Sequence, residues 1–232
     1  MVAHTQPQLK SMSTQGLRQI FASVDLYSCP NSLNFHLHTV HSDGKMQPED
    51  LIEQAIALQL THLAITDHHS IAGYHVAQRF LKNHTEVNEH SGVALPHLWT
   101  GVEVNASLLF TEVHILGYNF DPNHTVMQPY LQSHTTAGID YQAINVIQAL
   151  HRAGGLAVLA HPARYRRTPE ELIPAAAALG IDAVETFYGY DNNDPWRPSP
   201  KQTEQIYALV EHHGLLHTCG TDSHGYKISR RL

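Results

Sequence analysis

Cysteine is nearly absent from this chain. Cys29 and Cys219 are the only two in 232 residues, and they have no paired spacing, which argues against both a disulfide framework and a thiolate zinc site. Charge is also scarce, at 15% of residues with a net of −7. A nucleic-acid surface driven by bulk positive charge is therefore not expected, nor is duplex binding. A nucleotide held through metal ions is compatible with that balance. No apolar run approaches the roughly 18 residues of a membrane-spanning helix, and the N-terminus lacks a basic start followed by an apolar stretch. These absences lead to the expectation of a soluble, cytoplasmic protein without a membrane partner. Repeats and low-complexity tracts are missing too, so one large domain is expected.

What the chain does have is order. Residues 1–32 are polar, weakly helical around Leu17–Val24, and are expected to form an N-terminal arm ahead of a domain over 33–232. Strand and helix patterns then alternate. Leu33–Thr39 reads as a strand. Pro48 opens a helix with Glu49 and Asp50 in its first turn and a stripe of Leu51, Ile52, Ala55 and Ile56. A strand over His62–Thr66 and a helix over Ser70–Leu81 follow, then strands over Leu98–Asn105 and Glu112–Gly117. Ile139–Arg152 reads as a helix stopped by Gly154-Gly155, and Leu156–Ala160 as a buried strand. Thr168-Pro169-Glu170-Glu171 and Ser199-Pro200-Lys201-Gln202 read as capping boxes. Between and after them lie strands over Ala183–Phe187 and Leu215–Gly220. Seven strands alternating with helices imply a parallel α/β arrangement, and seven units suit this length better than the eight of a full TIM barrel.

The sequence holds 20 histidines, and the most informative stand where apolar strands stop. His36 and His38 are two apart, so on a strand they share one face. Asp43 follows in a Ser-Asp-Gly turn. Asp67-His68 closes the second strand. Glu103 lies in Gly-Val-Glu-Val, where a buried carboxylate needs a metal or a partner. His114 sits in Val-His-Ile-Leu, His161-Pro162 ends the fifth strand, and Asp222 and His224 end the last. Each has an ordinary explanation taken singly: incidental histidines, turn chemistry, a core imidazole. Together they place nine His, Asp or Glu at the ends of strands, the face where barrels carry active sites. Nine donors are too many for one tetrahedral ion and suit two or three that share carboxylates.

This pattern resembles the PHP (polymerase and histidinol phosphatase) family of metal-dependent phosphoesterases, over residues 33–225. The resemblance rests on His36-x-His38 with Ser42-Asp43-Gly44, Thr66-Asp67-His68, Gly101-Val102-Glu103, His114, His161 and Asp222-Ser223-His224, in that order. It implies a distorted seven-stranded (β/α) barrel, TIM-like, around a di- or trinuclear centre of divalent zinc, manganese or iron. It further implies one ion held by His36, His38, Glu103 and Asp222, a second by Glu103, His114 and His161, and a third by Asp43, His68 and His224. The branch it is most similar to acts on nucleoside 3′,5′-bisphosphates and RNA 5′ ends. That branch carries a helical insertion before its histidine-proline strand. Here the stretch from Leu116 to Pro162 has little beyond the Ile139–Arg152 helix, so a cap over the substrate is expected to be small or missing.

The implied activity is hydrolysis of phosphate esters, nucleotides among them, by a metal-held hydroxide, with Asp222 or His224 moving a proton to the leaving group. Arg164, first in the Arg164-Tyr165-Arg166-Arg167 tract, is a candidate phosphate-binding residue; the alternative is a solvated loop. His41, His69 and His75 lie off the ligand pattern, and His84, His90, His124 and His134 lie in polar loops. A non-catalytic metal-binding module, and a hydrolase of C–N or C–O bonds, are the competing readings. A module freed from catalysis need not keep every ligand position, and none is missing here.

Overall fold

A computed structural model describes residues 13–87 and 94–232; the first twelve residues of the expected arm and His90 lie outside it. The architecture is mixed α/β, with one wholly parallel sheet and one mixed sheet, where the alternation had suggested parallel strands throughout. The first has three parallel strands in the order β1 (Leu33–Asn34), β2 (His62–Ala64) and β3 (His97–Trp99). The second has five, β4 (Gly101–Leu108), β5 (Thr111–Tyr118), β6 (Leu156–Leu159), β7 (Ala183–Phe187) and β8 (Leu216–Cys219), side by side in chain order. Pairing from β6 to β8 is parallel, but β5 runs antiparallel to both β4 and β6. The two sheets meet at single bridges, His68 with Glu103 and Leu37 with Ser223. They do not form one continuous ladder.

The expected strand Leu33–Thr39 is paired as a strand only over Leu33–Asn34, and two further strands differ from the expectation. Leu98–Asn105 is split at Thr100, where the chain leaves one sheet for the other. Gly101 permits the crossing, since a Cβ there would stand 2.4 Å from the Ile65 carbonyl oxygen. The second change is the β4–β5 hairpin. Its turn residues, Leu109 and Phe110, both have positive φ, the twist that a two-residue turn needs and that Asn-Gly normally supplies. With Leu-Phe at the turn, no hairpin signal was readable.

Helix α2 (Pro48–Ala57) starts at its proline with Glu49 and Asp50 in the first turn, as read. Helix α3 (Ala72–Val87) runs longer than expected, and α4 (Ala143–Arg152) starts later. Tyr141 accepts a backbone hydrogen bond from Ser107 N–H instead, at 2.6 Å. Helix α5 (Pro169–Ala178) has its cap, with the Thr168 N–H donating to Glu171 at 3.0 Å. Helix α6 (Pro200–His212) lacks one, because the Ser199 hydroxyl donates to Asp191 at 2.6 Å rather than serving the helix.

Side chains from both sheets, Phe35, Ala64, Trp99, Tyr118, Val158, Ala183 and Cys219, share one buried cluster. Helix α1 (Thr14–Phe21) inserts Leu17 and Phe21 into it. Phe21 packs edge-on against Phe35 and Tyr118, with ring centroids 5.1 and 5.6 Å away. Each of these two buried side chains contributes about 1.5–3 kcal/mol. Helices α4, α5 and α6 cover the outer face of the larger sheet, and α2 and α3 cover the smaller one.

Candidate metal centre

The expected ligands converge beyond the C-terminal ends of the parallel strands. Beyond β1 the chain stays extended, bonded to the far side of the fold through Phe35 N–H to the Cys219 carbonyl and His38 N–H to the Ser223 carbonyl. His36 and His38 therefore point to the same side and are both fully buried. Gly220 makes room for this segment, since a Cβ there would lie 2.2 Å from that of His36.

Glu103 is the hub. One of its oxygens lies 3.0 Å from His36 Nε2, 3.1 Å from His38 Nε2 and 3.5 Å from His68 Nε2. The other lies 2.7 Å from His114 Nδ1 and 3.4 Å from His161 Nε2. Asp222 Oδ1 stands 3.4 Å from His36 and 3.2 Å from His38. At the rim, Asp43 meets His224 at 3.1 Å and His68 at 3.7 Å. All nine residues read from the sequence thus fall in one constellation. His161 and Asp222 hold positive φ values of 25° and 52°, uncommon for side-chain-bearing residues and a mark of backbone constrained by a site.

The electrostatics follow from packing opposite charges without water. Burial alone would raise the Glu103 carboxyl, but His36 and His114 hold it well below the usual carboxylate range. Asp222 is likewise held low, against burial, by His36 and His38. Burial disfavours the His38 imidazolium, yet Asp222 and Glu103 push its pKa up to about 9. His68, nearer the rim, is pushed down to about 4, chiefly by burial.

The donor set fits divalent metal ions. Four groups of ligand atoms lie within 4.8 Å of one another: His38, Asp43, His68 and His224; His36, His38, Glu103 and Asp222; His68, Glu103 and His114; and His36, His161 and Glu185. Imidazole with carboxylate suits borderline and hard divalent ions. Among the described residues, Nδ1 of His68 and of His161 is buried without a hydrogen-bond partner. Such atoms are costly unless something else engages them.

Sequence reasoning missed several supports. Glu185, in the middle of β7 and fully buried, lies 2.9 Å from His36 Nδ1 and accepts the His161 backbone N–H at 2.9 Å. It sits in the apolar run Ala-Val-Glu-Thr-Phe, and a charge inside that run was the available signal. Asp67 takes no part in the metal groups. It accepts from Thr39 N–H, Thr39 Oγ1 and Ser42 Oγ, each at 2.7 Å, and so fastens the Ser-Asp-Gly loop. Arg164 lies at the mouth, donating to Asp222 Oδ2 at 2.9 Å and to the Tyr188 hydroxyl at 3.1 Å. Tyr188 and Arg231 donate to that same oxygen, at 2.6 and 2.8 Å. His69 is buried beside Asn105, off the cluster. No helix among the described residues is long and apolar enough to cross a membrane.

Known proteins share both pattern and fold. The PHP domain family matches residues 34–170. The chain is 26% identical over 262 aligned residues to the 5′-3′ exoribonuclease Rnm of Escherichia coli, covering 82% of this chain and 84% of that one. It superposes with TM-score 0.68 on an amidohydrolase from Chromobacterium violaceum, at 20% identity and covering 84% and 88% of the two chains. A protein from Bifidobacterium adolescentis assigned as a metal-dependent phosphoesterase gives TM-score 0.66 at 24% identity, over 85% and 89%. These two superpositions bear on the fold. With the family matching more than half its length, the chain belongs to the PHP domain family and is a hydrolase of that family acting on ester bonds.

Proposed function

We propose that this protein is a metal-dependent phosphoesterase with a di- or trinuclear centre, acting on nucleotides or short RNA from a phosphorylated 5′ end, within a distorted TIM-like barrel formed by its two sheets. The observation that carries this is the sharing of Glu103 between two ligand groups, with His36, His38, His68, His114 and His161 all around it. A carboxylate so placed suits neighbouring ions. His36, His38, Glu103 and Asp222 would hold one, Glu103 and His114 with His161 or His68 a second, and Asp43, His68 and His224 a third. When bound, the ions supply Lewis acidity, activating water and neutralising phosphoryl charge.

The chain's own residues do the rest. Glu185 fixes the His36 ring through Nδ1, leaving Nε2 turned to the centre, as outer carboxylates do for metal-bound histidines. Asp222 Oδ2 already accepts from Tyr188, Arg164 and Arg231. On this reading Asp222, so bonded, would hold charge, and His224, at the rim, would move the leaving-group proton in the two-ion form, where no third ion takes its Nε2. Arg164 keeps further guanidinium donors for a substrate phosphate. The relative named as a 5′-3′ exoribonuclease supports the choice of RNA. A metal-supplemented assay of nucleoside 3′,5′-bisphosphates, 5′-phosphorylated oligoribonucleotides and simple phosphate esters tests this. Release of phosphate or mononucleotides, abolished by chelation, is expected; survival of every substrate would overturn the proposal.

A further inference from the structure

The loop leaving the centre at His161 runs past the end of β6 beside the outer half of β5, Thr111–His114, which β6 does not pair. Ala160 N–H donates to the His114 carbonyl at 3.1 Å. His114 N–H donates to the Tyr165 hydroxyl at 2.8 Å, and Arg167 Nε–H to the Leu109 carbonyl, at the hairpin turn, at 3.0 Å. Arg164 and Arg167 thereby stand at the two ends of a path from Asp222 to the tip of the hairpin, with Arg166 between them in the chain. Arg164 stands on Asp222. Arg166 is exposed and makes no ion pair among the described residues. Arg167 divides its guanidinium between Leu109 and Glu171, the latter at 2.7 Å.

At the end of the path stands Phe110, 102% exposed, with Leu109 beside it at 40%. Both have left-handed backbone, a conformation that costs a side-chain-bearing residue roughly 1–2 kcal/mol. Neither cost is offset by burial of the phenyl ring. The hairpin turn accounts for that backbone; what points to binding is an aromatic ring fully open to solvent near exposed arginines. From Glu103 to Leu108 the hairpin advances five residues, about 17 Å at the rise of an extended strand, which is the reach of a few nucleotides.

Resting on the ester-hydrolase reading above, we propose that this path is a track for single-stranded RNA. The 5′ end lies at the carboxylate–histidine centre, downstream phosphates lie against Arg166 and Arg167, and a base stacks on Phe110. Aromatic platforms along a line of cationic groups are the two elements by which single strands are held without duplex recognition. The track is a local exception on a chain of net charge −7, so binding through it weakens steeply with salt.

The test compares substrates of different length on the metal-loaded protein: a nucleoside 3′,5′-bisphosphate, a 5′-phosphorylated dinucleotide and a hexanucleotide. Phe110→Ala should raise KM for the hexanucleotide by about tenfold, leave kcat unchanged, and leave both shorter substrates unaffected; Phe110→Tyr should restore wild-type KM. Arg166→Ala should weaken the hexanucleotide and reduce the salt slope by about one. Fluorescence anisotropy of a labelled hexanucleotide reads binding separately from turnover. Binding that depends on Phe110 in a protein hydrolysing nothing would overturn the ester-hydrolase reading and leave the track standing. A KM change equal for all lengths, or none for any, would overturn the track, and no effect on hexanucleotide binding would do the same.

Discussion

At the residue scale, Glu103 and Glu185 do opposite jobs with the same functional group. Glu103 belongs to two ligand groups, whereas His224 belongs to one. Glu103→Gln removes a charge felt by both groups and should lower bound metal by more than one ion per chain. His224→Ala should cost one ion or less, by elemental analysis at fixed metal concentration with circular dichroism as a folding control. Equal losses would show that Glu103 is not shared. Glu185 grips His36 Nδ1 and the His161 backbone, so Glu185→Gln should retain the ions but weaken their affinity about 10- to 100-fold, measured by competition with a chelating dye. An unchanged affinity would make Glu185 merely structural. Most of the predicted ligands were legible because His and Asp where strands end have few inexpensive reasons to be there, and Glu103 and His114, which lie inside β4 and β5, because polar groups within apolar runs stand out. Glu185, equally inside a strand, was passed over although a charge within Ala-Val-Glu-Thr-Phe was the available signal. Arg231 follows no motif and reaches Asp222 by the return of the C-terminal segment.

At the element scale, the local signals of caps, prolines and apolar stripes found the starts of α2 to α6 to within four residues, because they are written in neighbours, while α3 runs six residues past the expected Leu81. The strands that failed are those decided by distant backbone. His36 and His38 lie on an extended segment held by Cys219 and Ser223 rather than in a long strand, and the β4–β5 hairpin turns on Leu-Phe. The split between β3 and β4 depends on Gly101 meeting the Ile65 carbonyl. Gly101→Ala should therefore destabilise the fold by about 1–3 kcal/mol through overpacking against backbone, read by urea denaturation. Because Glu103 lies two residues on, the variant should also bind metal more weakly. A neutral effect on stability would mean the crossing has slack that the geometry does not show.

For the whole molecule, α1 and the residues of both sheets fill one end of the interior with apolar packing, and the other end gathers buried carboxylates and imidazoles. That second end is costly to keep dry without ions, since Glu103, Asp222 and Glu185 are all buried within it. Metal binding should then act as a folding ligand. An ion present at a hundredfold its dissociation constant stabilises by about 2.7 kcal/mol, and a domain of this size gains about 2–4 °C per kcal/mol. Chelation followed by removal of the chelator should lower Tm by about 5–10 °C for one such site and by more if several are filled. Re-addition of manganese or zinc should restore it in a concentration-dependent way. Magnesium should restore it less, because it favours oxygen ligands over imidazole. Scanning calorimetry of the stripped and reloaded protein checks all three statements. A Tm indifferent to metal would mean that the histidines and carboxylates satisfy one another unaided, and the reading of this cluster as a metal centre would fall.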